Sequence, residues 1–259
     1  MSQIPTLSVL GPLATITLQR PEKRNRIEPV DIATIIDHCR TINTESTVQA
    51  VTIEASGPVW CSGFHLGALA DGPEPGDHPS YSFADLCDQV EAIRVPTIAV
   101  IGGGVHGGGT DLALSCDFRV ATSSTTATMP AARIGLQYYA SGLRRFTERI
   151  GIDATKRFFL TGETLDANQL LHLGFLTEVT DEAELGHRVN ELVAAIGELE
   201  PEAIRQTKAA INRLAQHATT QDLEEIQAGH LATLRSQAHR DALARATAAR
   251  GKRPKTPHS

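Results

Sequence analysis

The residues best placed to do chemistry lie in Val100 to Asp117, VIGGGVHGGGTDLALSCD. An apolar strand runs into Gly102, Gly103 and Gly104. Gly107, Gly108 and Gly109 then open a helix through Leu112, Leu114 and Cys116. Glycine lets a backbone approach a ligand closely and adopt unusual dihedrals. The first N–H groups of a helix lack partners and carry partial positive charge. Together these features suit an anion or a developing oxyanion. A phosphate-binding P-loop needs Lys and Ser/Thr after its last glycine, and Thr110-Asp111 stand there instead. A dinucleotide fingerprint belongs after the first strand, and this cluster comes too late. The HGGG of lipases requires a GxSxG nucleophile downstream, which this chain lacks. A glycine-rich turn serving only tight packing stays open.

A second small-residue turn lies in Val59 to Leu69, VWCSGFHLGAL, after the apolar run AVTI and before an expected helix. By itself it is an ordinary strand-to-helix turn. The pair is more informative, because in a parallel sheet both turns would fall on the carboxyl edge, where ligands bind.

The elements that must position these turns are legible from periodicity. Strands are expected at Ala14 to Leu18, Ala50 to Ile53, Thr97 to Ile101 and Phe118 to Ala121. A helix is expected over Pro29 to Ile42, with Ile32, Ile35 and Ile36 on one face. Strands alternating with helices indicate an α/β class with parallel pairing. Leu69 to Ser82 is rich in Gly, Pro and Asp and reads as a surface loop that shapes the ligand site. The second half reads as helical: Asp153 to Leu160 and Asp166 to Leu173 each start at a capping Asp, followed by Pro201 to Ala215 and Asp222 to Ala249. The change of character near Gly142 to Glu182 divides a core domain, residues 1–190, from a helical C-terminal oligomerisation region, residues 191–259.

Composition narrows the class. With 41% hydrophobic and 21% charged residues the 259-residue chain can bury a sizeable core. Aromatics are 4%, so that core is expected from Ala, Leu, Ile and Val. A net charge of −6 argues against a nucleic-acid partner. The basic run Arg250, Lys252, Arg253 and Lys255 is a local patch or a solvated tail. Cys39, Cys61, Cys87 and Cys116 show neither CxxC spacing nor a zinc-like pairing with His, so reduced thiols and no metal are expected. The start MSQIPTLSVL is unlike a signal peptide, and no apolar run reaches spanning length. A cytoplasmic protein without a membrane partner is the expectation.

Four stretches, taken in order, resemble the crotonase (enoyl-CoA hydratase/isomerase) superfamily. They are ITLQRPEKRN from Ile16, CSGFHL from Cys61, the glycine segment from Ile101 to Asp117, and TGETLDANQLLHLGFLTEVT from Thr161. The resemblance implies a fold of repeated ββα units with a helical C-terminal region, assembled as a trimer or hexamer. It implies an acyl-CoA substrate, with coenzyme A entering as part of that substrate and no separate cofactor. The N–H groups of Phe64 and Gly108 would hold the thioester oxygen. Arg24, Arg26, Ser62, His65, Leu66 and Gly107 would meet coenzyme A. Asp111 falls where hydratases of the family carry their first catalytic Glu, one helical turn after Gly108. As an alternative, Asp111 simply stabilises the helix dipole.

One position departs from the hydratase pattern. Ala131, in TMPAARIG, stands where the second Glu would be, and water addition needs both a base and an acid. Nearby Tyr138 and Tyr139 are candidate proton donors or packed core tyrosines. A missing second Glu with a Tyr at position 138 resembles the methylmalonyl-CoA decarboxylases, in which loss of carbon dioxide generates the enolate. His65 and His106 are further candidates near the two turns, or structural histidines. Hydratase or isomerase, decarboxylase, and non-catalytic acyl-CoA binding are therefore the functions to separate.

Overall fold

The computed structural model describes residues 3–65, 81–216, 237 and 241. By contacts the chain divides into two units, Met1–Gly197 and Glu198–Ser259.

The first unit is built on two sheets. The larger has the order β1-β2-β3-β5-β7-β10, from β1 (Thr6–Leu10), β2 (Leu13–Leu18), β3 (Ala50–Ala55), β5 (Thr97–Ile101), β7 (Phe118–Thr122) and β10 (Glu178–Thr180). Only the β1–β2 hairpin is antiparallel in it. In β2, Ala14, Ile16 and Leu18 alternate inward, as a strand with one wet face requires. In β3 and β5 nearly every residue is buried, as parallel strands covered on both faces require. Ile53 aligns with Ile16 on one side and Ala99 on the other.

The smaller sheet, β4-β6-β8-β9, comes from three-residue strands: β4 (Val59–Cys61), β6 (Gly104–His106), β8 (Thr126–Thr128) and β9 (Thr164–Asp166). Each long parallel strand β3, β5 and β7 is followed by one of these short ones. The repeating unit is therefore ββα, and the corner between the paired strands is tight. A methyl group at Gly103 would lie 2.0 Å from the Pro58 carbonyl oxygen, so the corner leading to β6 rests on the corner leading to β4. This corrects the expected layout. Both small-residue turns follow a short strand of the second sheet, not the long strand itself; Gly102 and Gly103 form the corner after β5, and the helix opens at Gly107 and Gly108 as expected.

Helices cover the sheets. α1 (Pro29–Thr44) buries Ile32, Ile35, Ile36, Cys39 and Ile42. Asp31 in its first turn accepts the Glu28 backbone N–H at 2.9 Å. α2 (Phe83–Glu91) begins at Ser82, whose hydroxyl accepts from the Asp85 N–H while the Asp85 carboxylate accepts from the Ser82 N–H. α2 packs against α3 (Gly108–Ser115) and α4 (Ala140–Lys156). Helical turns do run through Asp153 as expected, because helical geometry resumes directly after Gly151. α4 runs through this region with a break at Gly151 (φ 80°, ψ 166°) and ends in a π-turn, Arg157–Thr161. α5 (Ala167–His172) does start at Asp166, which accepts from the Gln169 N–H at 2.9 Å. α6 (Leu185–Gly197) closes the unit.

The core is aliphatic beneath the large sheet, but aromatic beside α4. Phe146 lies 5.7 Å from Phe158 and 4.9 Å from Phe159, and Phe158 lies 5.4 Å from Phe175, between ring centres. Four of the seven phenylalanines thus gather in one place, which the low aromatic content concealed. The second unit shows α7 (Pro201–Ala215), with Pro201 in its first turn and a Glu202–Arg205 pair on its surface. The expected helix Asp222 to Ala249 lies outside the described residues, apart from helical positions 237 and 241, as does the expected loop apart from Tyr81 and Ser82. Among the described residues no helix is long and apolar enough to cross a membrane.

Candidate active site

The two small-residue turns meet. Gly63 adopts φ 90°, and a methyl group there would lie 2.8 Å from the Gly108 nitrogen and 2.8 Å from the His106 oxygen. Only glycine permits that approach. Phe64 forms a parallel bridge with Ile27. The bridge uses the Gly63 carbonyl, accepting from the Ile27 N–H, and the His65 N–H, donating to the Ile27 carbonyl. Strand geometry then turns the Phe64 N–H away from Ile27. Gly107 caps α3 with a positive φ of 53° and ψ of −131°, open to glycine, and Gly108 is the first helical residue, where an N–H has no intrahelical acceptor. The Phe83 ring lies over Gly108, within 2.8 Å of where a methyl group would project, and pairs with the Phe64 ring at 5.9 Å.

The loop before α1 completes this side. Asn25 is fully buried with φ 51°. Its carboxamide accepts from the Arg20 N–H at 2.8 Å and donates to the Ser56 and Val59 carbonyls at 2.7 Å each. It thereby fastens residues 20–27 to the corner before β4. The Ser62 N–H donates to the Arg24 carbonyl at 3.0 Å. His65 Nδ1 lies 2.7 Å from Glu28, which also accepts from Arg26 at 2.7 Å. Burial raises the Glu28 carboxyl, but the Arg26 and His65 charges outweigh it and hold the group below its ordinary value. Arg24, Arg26, Ser62 and His65 are thus brought together beside Phe64. Leu66 lies outside the described residues.

The acid–base side is built around α3. Asp111 is fully buried. Its Oδ1 accepts from Arg145 Nε at 2.9 Å, and its Oδ2 from Arg145 Nη2 at 3.3 Å and, more closely, from the Tyr139 hydroxyl, with the Tyr138 oxygen 3.4 Å away. Tyr138 and Tyr139 stack at 4.2 Å, and the Tyr138 hydroxyl donates to that of Tyr139 at 3.1 Å. Gly142 makes room for this arrangement, since a methyl there would lie 2.4 Å from the Tyr138 ring and 2.8 Å from Asp111 Oδ2. Arg145 also binds Asp88 at 2.8 Å and Glu91 at 3.0 Å, and Arg144 and Arg149 neighbour Glu91. Burial opposes ionisation of Glu91, yet these arginines keep its carboxyl below the ordinary value. Burial, with Asp111 nearby, pushes both phenols well above theirs. Ala131, buried in a 3-10 turn, offers no titratable group. Among the described residues no cluster of His, Cys, Asp and Glu could hold a metal ion.

The sequence pointed to Asp111, Tyr138 and Tyr139, which the fold brings together, but not to Arg145, Glu91, Asn25 and Gly142. Arg145 lies 34 residues from its partner, a distance at which no local pattern signals contact. His106 packs against Gly104, as a structural histidine does.

A family model described as enoyl-CoA hydratase/isomerase matches residues 11–249. A short-chain-enoyl-CoA hydratase of Clostridium acetobutylicum is 27% identical over 78% of each chain. An enoyl-CoA isomerase/hydratase of Mycosarcoma maydis is 28% identical over 88% of this chain and 87% of its own. The crystal structure of an enoyl-CoA hydratase from Bacillus anthracis superposes with a TM-score of 0.85 over 97% of each chain, at 24% identity, and shares the fold.

Proposed function

From the premise that the chain belongs to the enoyl-CoA hydratase/isomerase family of the crotonase superfamily, we propose that it forms an enolate from an acyl-CoA thioester and moves a single proton along the acyl chain. The Phe64 and Gly108 N–H groups hold the thioester oxygen as charge develops there. One such donor is worth about 2.7–4 kcal/mol in the transition state. Arg24, Arg26, Ser62, His65 and Gly107 line the approach for coenzyme A, which arrives as part of the substrate.

The contrast between Asp111 and Ala131 carries this reading. Water addition needs a base and an acid on separate groups, and position 131 supplies neither. A double-bond shift needs one group that removes a proton and returns it elsewhere. The cluster of Asp111, Tyr138 and Tyr139 is one such group. Decarboxylation is the second reading, favoured by the two phenols gathered at Asp111 where a second carboxylate is lacking. They stay protonated at neutral pH and suit delivery of a proton to an enolate formed by loss of carbon dioxide. The C-terminal region, residues 191–259, belongs to the same proposal as the part that assembles a trimer or hexamer, which light scattering tests.

The deciding experiment offers the protein 2-enoyl, 3-enoyl and malonyl-type CoA thioesters. Double-bond migration faster than hydration supports the first reading. Carbon dioxide release without migration replaces it with the second. Thioester binding with no turnover on any of the three reduces the protein to a binding module.

A further inference from the structure

We propose that Tyr139 carries the proton between the substrate and Asp111, so that Asp111 acts as terminal acceptor and never touches the thioester. The inference rests on the enolate reading above and names the group that performs its proton transfer.

The occupancy of the Asp111 oxygens is the first argument. A carboxylate offers about four acceptor positions. Arg145 takes one on each oxygen, and the two tyrosines crowd Oδ2. Asp111 and Arg145 are fully buried and Tyr138 is nearly so, whereas Tyr139 is only half-buried. Of the four groups, Tyr139 is the one with room to meet a ligand. A substrate could reach the carboxylate only past the side chains that shut Asp111 off from solvent altogether.

The state of the Tyr139 oxygen is the second argument. A phenol oxygen has two lone pairs and one hydrogen. Its hydrogen points to Asp111, and one lone pair accepts from Tyr138. The other lone pair meets the Cys87 sulfur at 3.7 Å, a weak partner that a substrate C–H displaces when this lone pair receives a proton. In the step proposed, that lone pair bonds the α-hydrogen of the thioester while the Tyr139 hydrogen passes to Asp111 Oδ2. The electron pair of the broken C–H bond becomes the enolate. Reversal, with the proton delivered to the γ-carbon, moves the double bond and restores both side chains. The phenol is never left as an anion, which suits a group whose burial strongly opposes ionisation.

The test is exchange of the α-hydrogens of a saturated acyl-CoA in deuterium oxide, followed by mass spectrometry, which needs no net turnover. Wild-type protein should exchange them. Tyr139→Phe should exchange about 100-fold more slowly or worse, with KM within about twofold of wild type. Asp111→Asn should lose a similar factor, and the double variant no more than either single one. Exchange kept in Tyr139→Phe but lost in Asp111→Asn would make Asp111 the direct base and overturn the relay, leaving the enolate reading intact. No exchange by wild type would sink the enolate reading itself. Should Tyr139→Phe not fold, a 3-fluorotyrosine at position 139 decides. As a near-isosteric, stronger acid it should change the exchange rate about threefold, and an unchanged rate overturns the proposal.

Discussion

Arg145 Nε meets Asp111 Oδ1 at 2.9 Å with both side chains wholly shielded from solvent. The same guanidinium reaches Asp88 and Glu91, so one cation from α4 ties α2 to α3. Replacing a buried ion pair as a whole can be neutral, but removing one partner leaves uncompensated charge and typically costs about 3–5 kcal/mol. Arg145→Met should therefore lower the melting temperature by roughly 10 °C. Calorimetry checks this, and a shift under about 3 °C would mean the carboxylates find other partners.

Gly63 makes a sharper functional prediction. Its φ of 90° and its contact with the Gly108 nitrogen act together. Gly63→Ala should cost about 1–3 kcal/mol of stability and about 100-fold in kcat, because the Phe64 amide is displaced. Gly11 is the control. It also has positive φ, 60°, but a methyl group there meets nothing within 4 Å, so Gly11→Ala should lose stability without losing kcat. Equal kcat for both variants would detach the turn from the chemistry.

These contacts show where sequence reading stops. α1 was legible because Ile32, Ile35 and Ile36 fall at helical spacing within what is a sixteen-residue helix. β5 was legible because TIAVI is apolar throughout and follows Pro96. β4, β6, β8 and β9 have three residues each, too few for alternation to emerge, so the second sheet and its corners were hidden. The start of α2 had a local signature, the Ser82–Asp85 capping box, masked by the Gly/Pro-rich stretch before it. In the site, the glycine turns were legible by type and spacing, and Asp111 through the resemblance to the crotonase superfamily. What Asp111 bonds to did not, since that depends on how α4 docks across the fold.

Asn25 predicts an effect on binding rather than on chemistry. Its three hydrogen bonds hold the loop bearing Arg24 and Arg26. Asn25→Ala leaves those backbone groups without partners and should cost about 2 kcal/mol. If the loop serves coenzyme A, KM for the thioester rises while kcat stays within about twofold, the signature of lost uniform binding. A fall in kcat at constant KM would place the loop in the reacting centre instead.

The cysteines predict both reactivity and an alkaline limit. Burial pushes the thiols of Cys39 and Cys61 up to about 12, with Cys116 adding to the first. All four cysteines are buried thiols outside any disulfide. At pH 8.5 only roughly one in three thousand molecules of a thiol with such a pKa is ionised. Iodoacetamide should leave the native protein unlabelled and label four sites in denaturant. Because the folded values lie above the unfolded value of about 8.5, the folded state keeps protons that the unfolded chain releases. Stability is complete below that value and declines as pH rises from it through about 12. Labelling of the native protein within minutes would contradict this.

His106 sets the opposite dependence on the acid side. Burial, with the Arg24 charge behind it, lowers its pKa below the ordinary value, and its ring is pressed against Gly104. The unfolded chain therefore binds a proton at this residue before the folded one does. Stability rises with pH through that interval, is complete above the unfolded value of about 6.5, and falls as acid forces a charge onto the half-buried ring. Urea midpoints at pH 7.5 and 5.5 should differ in the wild type and converge in His106→Gln, which keeps a polar side chain but cannot titrate. If the variant retains the full wild-type difference, another group governs the acid limb and the lowered His106 pKa has no consequence for the fold.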